Sequence, residues 1–334
     1  MQYDAILIVS FGGPEKHEDV IPFLENVLRG KPVPRARLLE VAEHYYHFEG
    51  RSPINQQVQE LKAAIEASLA EHGPQLPVYL GNRNWHPLLT DTMREMAASG
   101  VRRVLAFVTS AWGSYSSCRQ YLDNIRDARE AAGPDAPVVD KIRPFYDHPG
   151  FLETVAERVR DALGELPSEQ RAGAELIFTA HSIPLAMAAT SRYESQVREA
   201  SSLVAGKLRH CRFSVVWQSR SGSPQQPWLA PDVNDHLRAI AASADRPAAV
   251  VLVPIGFLSD HLEVLWDLDV EARATCGQLG LPVVRAGTVG AHPRFVWAIR
   301  QLIAERVFNL PERSSLSAIG ACPDECPQDC CMPR

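Results

Sequence analysis

Short runs of β-branched and other apolar residues alternate along the chain with longer stretches in which apolar positions return every three or four residues. The short runs read as strands buried on both faces, the longer stretches as amphipathic helices covering them. In the first half the pattern predicts strands over residues 5–9, 78–81, 104–109 and 138–142, with helices over 19–28, 56–69, 89–98 and 119–131. In the second half it predicts strands over 176–180, 214–218, 249–254 and 283–286, separated by helices over 193–207, 232–242 and 261–278. Strand and helix alternating in this way predict an α/β fold with a parallel four-stranded sheet in each half.

The halves also echo one another in detail. Each first strand runs into a turn ending in proline, SFGGP at 10–14 and AHSIP at 180–184. Each fourth strand leads through His-Pro-x-Phe into a helix, at His148, Pro149 and Phe151 and again at His292, Pro293 and Phe295. Matching motifs in matching order point to internal duplication. The expected organisation is a first lobe over 1–163, a polar linker over 164–173, a second lobe over 174–310 and a cysteine-rich tail over 311–334.

Charge and composition narrow the class. A formal net charge of -6 and a pI near 6.0 provide no basic face for a phosphate backbone, so nucleic acid is not an expected partner. The apolar stretch at 5–9 is too short for a signal peptide and lacks its basic start, and no stretch approaches the roughly 20 residues that span a bilayer. The expectation is a soluble, cytoplasmic monomer without stable membrane insertion. Four of the seven cysteines fall in the last thirteen residues, which is not the framework of a secreted disulfide protein.

In open parallel sheets ligands settle outside the carboxyl ends of the strands. There this chain carries Phe11, the NRNW run at 82–85, SAWGSY at 110–115, His181 with Ser182, the WQSR run at 217–220 and GFLSDH at 256–261. Aromatic rings, hydroxyls and histidines gather on one rim and no glycine-rich phosphate loop is present, which suggests a large flat ligand. His181, directly after a buried strand, can act as a base, bind a metal or simply cap the strand end. Glu263, Asp267 and Glu271 recur every four residues along a helix whose Leu262, Val264, Leu265, Leu268 and Val270 look buried. Such a row serves metal or proton traffic, or else is a solvated face.

The segments FTAHSIP (178–184), VWQSR (216–220), PWLAPD (227–232) and PIGFLSDHLEVLWD (254–267) together resemble ferrochelatases, the enzymes that insert ferrous iron into a porphyrin. In the first half SFGGP (10–14), FLENV (23–27), HYYHFEGRSPIN (44–55), GNRNWH (81–86), TSAW (109–112) and YSSC (115–118) resemble the same family, closest to its actinobacterial branch. The resemblance covers nearly the whole chain, in order. It implies two Rossmann-like lobes around a porphyrin cleft, with His181 and Glu263 facing each other across the macrocycle as metal centre and catalytic pair. It also suggests local π-helical winding that aligns Glu263, Asp267 and Glu271 as a proton relay. Ser52 and Tyr121 match positions that hydrogen-bond propionates, with Arg29 a further candidate for those anions. Phe11 stands where some relatives carry a tyrosine whose oxygen approaches the iron, a ligand this chain lacks. Trp217, Trp228 and Phe257 are candidates to pack on the ring. Coproporphyrin and protoporphyrin are both open as substrates, as is the division of proton transfer and iron binding between His181 and Glu263. The alternatives are a chelatase for another metal or tetrapyrrole and a non-catalytic porphyrin or haem carrier.

The tail reads CPDECPQDCC at 322–331, too dense in thiols to be casual. The resemblance implies a [2Fe-2S] cluster held by Cys118 and three of Cys322, Cys326, Cys330 and Cys331. A structural zinc on the four tail sulfurs and a reduced, unstructured tail are the other readings.

Overall fold

The computed structural model describes residues 2–30, 33–221, 225–327 and 329–332. Eight strands form two parallel sheets: β1 (Ala5–Ser10), β2 (Val78–Asn82), β3 (Arg103–Val108) and β4 (Val138–Lys141) in one, β5 (Ala174–His181), β6 (Phe213–Gln218), β7 (Ala249–Val253) and β8 (Val283–Arg285) in the other. Their orders, β2-β1-β3-β4 and β6-β5-β7-β8, are the same. The central strands are apolar along their length because helices cover both faces; every residue of β1 and β7 is buried. The α/β architecture and the strand positions agree with the sequence pattern to within a few residues.

The His-Pro-x-Phe echo has a physical cause. His148 and His292 are N-caps of the helices Pro149–Glu165 and Pro293–Val307, each accepting on Nδ1 the backbone N–H two residues on, at 3.1 and 3.3 Å. Proline follows at the first helical position, where no N–H is needed. Phe151 and Phe295 are both fully buried, with ring centroids 5.9 Å apart.

These two helices cross between the sheets, so the lobes do not carry separate cores. One apolar cluster runs from Ile6, Leu105 and Phe107 of the first sheet through Phe151 and Phe295 to Phe178 and Val253 of the second. The crossing is tight: a Cβ on Gly150 would lie 2.8 Å from Ala298 Cβ. Smaller clusters fill the outer face of each sheet and the underside of the helix Arg35–Tyr46. The stretch expected as an open linker is instead folded, with Leu166 buried and a short helix at Ser168–Arg171.

The tail folds back on this shared core. Arg143, 1 % exposed, donates to both oxygens of Glu305 and to the Ser314 carbonyl, while Arg306 and Arg313 pair with Asp324. Among the described residues no helix is long and apolar enough to cross a membrane.

Candidate active site

Residues that follow the strands of one sheet bond directly to residues of the other half. Trp112 Nε1 donates to the Gly256 carbonyl at 3.1 Å, and the Asp260 N–H donates to Gln57 Oε1 at 2.8 Å. Gly256 is required at its place, because a Cβ there would meet Ala180 Cα at 2.6 Å.

His181 is the last residue of β5. Its backbone carbonyl accepts the Tyr193 hydroxyl at 2.9 Å, and the next N–H, that of Ser182, is donated to the Gln218 carbonyl. The imidazole Nδ1 lies against the Ser182 carbonyl, which can only accept, so Nδ1 donates there and Nε2 is the nitrogen turned toward Glu263. That Nε2 stands 3.8 Å from Glu263 Oε2, with the two side chains 34 % and 50 % exposed. β5 and β7 are neighbours in one sheet, so His181 at the end of β5 and Glu263, in the helical turn Leu262–Val264 that follows β7, come together on one side of it. This corrects the expectation that they face each other across the macrocycle: a gap of 3.8 Å admits no ring, and both address the same face of whatever lies in the cleft.

Behind Glu263 the backbone winds as a π-helix over Leu265–Ala272, between the α-helical turns Leu262–Val264 and Arg273–Gln278. Wider winding lessens the rotation between residues four apart, so Glu263, Asp267 and Glu271 follow one line. Burial, together with the charges of Glu263 and Glu271, pushes the Asp267 carboxyl up to about 7, against the lowering hydrogen bonds from Ser219 and Gln218. Glu271 lies at the exposed end and accepts the Trp266 indole N–H at 2.9 Å.

The expected ring contacts divide. Ser52 is buried beside Gly13, whose Cβ would lie 2.8 Å from Ser52 Cβ. Tyr121 is 5 % exposed, and the Arg83 guanidinium lies 4.6 Å over its ring and 5.5 Å over that of Phe11. Arg29 is exposed and bonded to Asn26. Trp217 is a correction: at 1 % exposure it packs against Tyr193 within the core, because β6 turns that side chain inward, and no face is free for a ligand. Trp228 and Phe257 are partly exposed.

Three residues near this site were given no role by the sequence reasoning, and a fourth, His261, was read only as part of the rim. Burial lowers the His261 pKa, with the nearby Glu263 opposing that shift. Tyr45 comes from the first lobe, and burial followed by the Glu263 charge keeps its phenol protonated. His44 stacks on Trp266 at 4.0 Å and His47 meets the same ring edge-on, tying the helix Arg35–Tyr46 to the π-helix across the cleft. Nothing local in the sequence announces that contact.

The cysteines also separate. Burial and the neighbouring sulfurs of Cys330 and Cys118 push the Cys326 thiol up to about 11, and burial with Cys330, Cys118 and Cys326 raises that of Cys331. Cys330 and Cys331 sulfurs are 3.5 Å apart. Cys322 belongs instead to the shared core, with Gln196 Nε2 at 3.7 Å from its sulfur. Among the described residues no group of three or more His, Cys, Asp or Glu side chains is placed to hold a metal ion.

Comparison with known proteins identifies the family and the fold. A family model described as Ferrochelatase matches residues 3–307. A ferrochelatase of Rhodopirellula baltica is 50 % identical over 99 % of this chain and 93 % of its own, and a coproporphyrin III ferrochelatase of Mycolicibacterium smegmatis is 51 % identical over 94 % and 92 %. Among solved structures, the cobalt-bound sirohydrochlorin chelatase SirB of Bacillus subtilis subspecies spizizenii superposes with a TM-score of 0.56 over 95 % of this chain and all of its own; at 11 % identity it speaks for the fold alone.

Proposed function

The chain belongs to the ferrochelatase family, whose reaction places ferrous iron in a porphyrin, and we propose coproporphyrin III as the macrocycle it fills. The observation carrying the catalytic reading is the pairing of His181 Nε2 with the Glu263 carboxylate at 3.8 Å, with His181 Nδ1 engaged by the Ser182 carbonyl. Metal insertion releases two pyrrole protons for each divalent ion bound. His181 Nε2 takes the two pyrrole protons in turn, Glu263 receives each, and Asp267, poised near neutrality, hands each along the π-helix to Glu271 at the exposed end, where it passes to solvent. Ser52 and Tyr121 hold propionates, and Arg83 adds a cation beside Tyr121.

Several curated relatives of about half identity are named coproporphyrin III ferrochelatases, which supports four propionates rather than two. Turnover with coproporphyrin III and with protoporphyrin IX under anaerobic ferrous iron tests this. Faster turnover of the former is expected, and equal or reversed rates would overturn the substrate. A protein that quenches porphyrin fluorescence yet inserts neither iron nor zinc would be a carrier.

The donor set of Cys118, Cys326, Cys330 and Cys331 suits a [2Fe-2S] cluster: four thiols, one from the body and three from the tail, influence one another, while Cys322 is engaged elsewhere. When bound, the cluster supplies iron–thiolate bonds joining the tail to the first lobe. Visible absorption and acid-labile sulfide should vanish in Cys118→Ser and persist in Cys322→Ser. Stoichiometric zinc without labile sulfide would favour the structural zinc site.

A further inference from the structure

We propose that Arg285, the last residue of β8, is a positioning residue for metal insertion, holding the two ends of the segment that carries Glu263 through a forked contact with Asp260 and Asp269. The inference rests on the proposed roles of His181 and Glu263. Arg285 Nε lies 2.9 and 3.0 Å from the two Asp269 oxygens, and its Nη1 and Nη2 reach the Asp260 oxygens at 3.1 and 3.4 Å. The guanidinium side chain is 14 % exposed, its partners 19 % and 23 %.

The placement of the two carboxylates gives the contact its meaning. Asp260 sits in the turn leaving β7, three residues before Glu263, and Asp269 lies within the π-helix, two residues beyond Asp267. One planar cation therefore fixes the strand exit and the π-helix relative to each other on both sides of Glu263. Nothing else described as a charged partner does so: Arg273 approaches only Asp269, at 3.5 Å, and is half exposed. The same turn is tied to the other lobe through the Asp260 N–H and Gln57 Oε1.

A π-helix persists where tertiary contacts hold it, because its hydrogen-bond geometry is poorer than that of an α-helix. Glu263 itself is half exposed, with His181 Nε2 3.8 Å from its carboxylate, so its position depends on the backbone that carries it. Removing the guanidinium leaves two half-buried carboxylates facing each other, and their repulsion moves the strand exit away from the π-helix. Lysine keeps the charge but cannot address both carboxylates in one plane.

The test is steady-state zinc and iron insertion by the full chain, with porphyrin affinity from fluorescence quenching and melting temperature measured in parallel. Arg285→Met should lower kcat on the order of 10²-fold, since an ångström of misplacement costs about that much, with porphyrin Kd within about twofold. Arg285→Lys should fall between it and the parent, which keeps the test usable if the methionine variant fails to fold. Glu175→Gln supplies the control, because Glu175 accepts from Ser214, His236 and Arg212 at the opposite, amino end of the same sheet. Loss of kcat by Glu175→Gln equal to that of Arg285→Lys at matched melting temperature would overturn the positioning role, as would an unchanged kcat in both Arg285 variants. A parent protein that inserts no metal would overturn instead the reading of His181 and Glu263.

Discussion

The two lobes leave their third strands in the same manner and arm the exit differently. After β3 the chain winds as a π-helix over Tyr115–Arg119, started by Ser114 Oγ accepting the Ser117 N–H at 3.1 Å; after β7 it does so over Leu265–Ala272. The first winding carries Cys118, which the tail sulfurs approach, and the second carries Asp267 between Glu263 and Glu271. Each fourth strand ends in a cation seven residues before its histidine cap, Lys141 in one lobe and Arg285 in the other. Lys141, 9 % exposed, lies near the tail thiols of Cys322 and Cys326, which burial raises and its charge weakly opposes, whereas Arg285 braces two carboxylates. A duplicated backbone thus provides the same sites twice, and the chemistry of each is set by which side chains fill it.

The largest expected effect lies in the second lobe. His181→Ala or Glu263→Gln should lower kcat by about 10²–10⁴-fold, the usual share of a general acid or base, while porphyrin fluorescence is still quenched. Comparable activity in either variant would remove the functional asymmetry between the lobes.

Asp267→Asn comes next. Because the folded-state pKa of Asp267 is raised to about 7, the stability it contributes is fully present at acidic pH and is lost as pH rises through about 7. The parent should therefore lose stability relative to Asp267→Asn between pH ~4 and ~7 in denaturant titrations. Its rate should show an inflection near 7 that the variant lacks, with the variant slower by about 10²-fold above it. Identical pH profiles would break the relay.

Gly256→Ala probes where the lobes meet. The added methyl encounters Ala180 backbone at 2.6 Å, next to His181, so chemical unfolding should show a loss of about 1–3 kcal/mol. The smallest effect should come from Cys322→Ser, about 1 kcal/mol at constant visible absorption, because the Gln196 amide can donate to the new hydroxyl. A bleached Cys322→Ser protein would return that residue to the cluster.

Periodicity placed the eight described strands, because the inner parallel strands, buried on both faces, are largely apolar and the outer ones follow in the same order, and the His-Pro-x-Phe echo exposed the duplication because it is a local cap. The helix Arg35–Tyr46 was missed, since its apolar face is narrow and only Leu38 and Ala42 are buried. The reach of Tyr45, His44 and Arg83 into the site depends on packing between distant elements, for which spacing along the chain holds no signal.

The sequence by itself determined the α/β class, the repeated strand plan, the acidic row and the thiol-rich end, since each is written in residue type and local period. Tertiary structure decided that His181 and Glu263 stand side by side, that Trp217 is core, that Cys322 lies apart from its neighbours and that the lobes share one interior. Those outcomes turn on distances between elements far apart along the chain, which pairing within each sheet and the crossing of the two capped helices fix together.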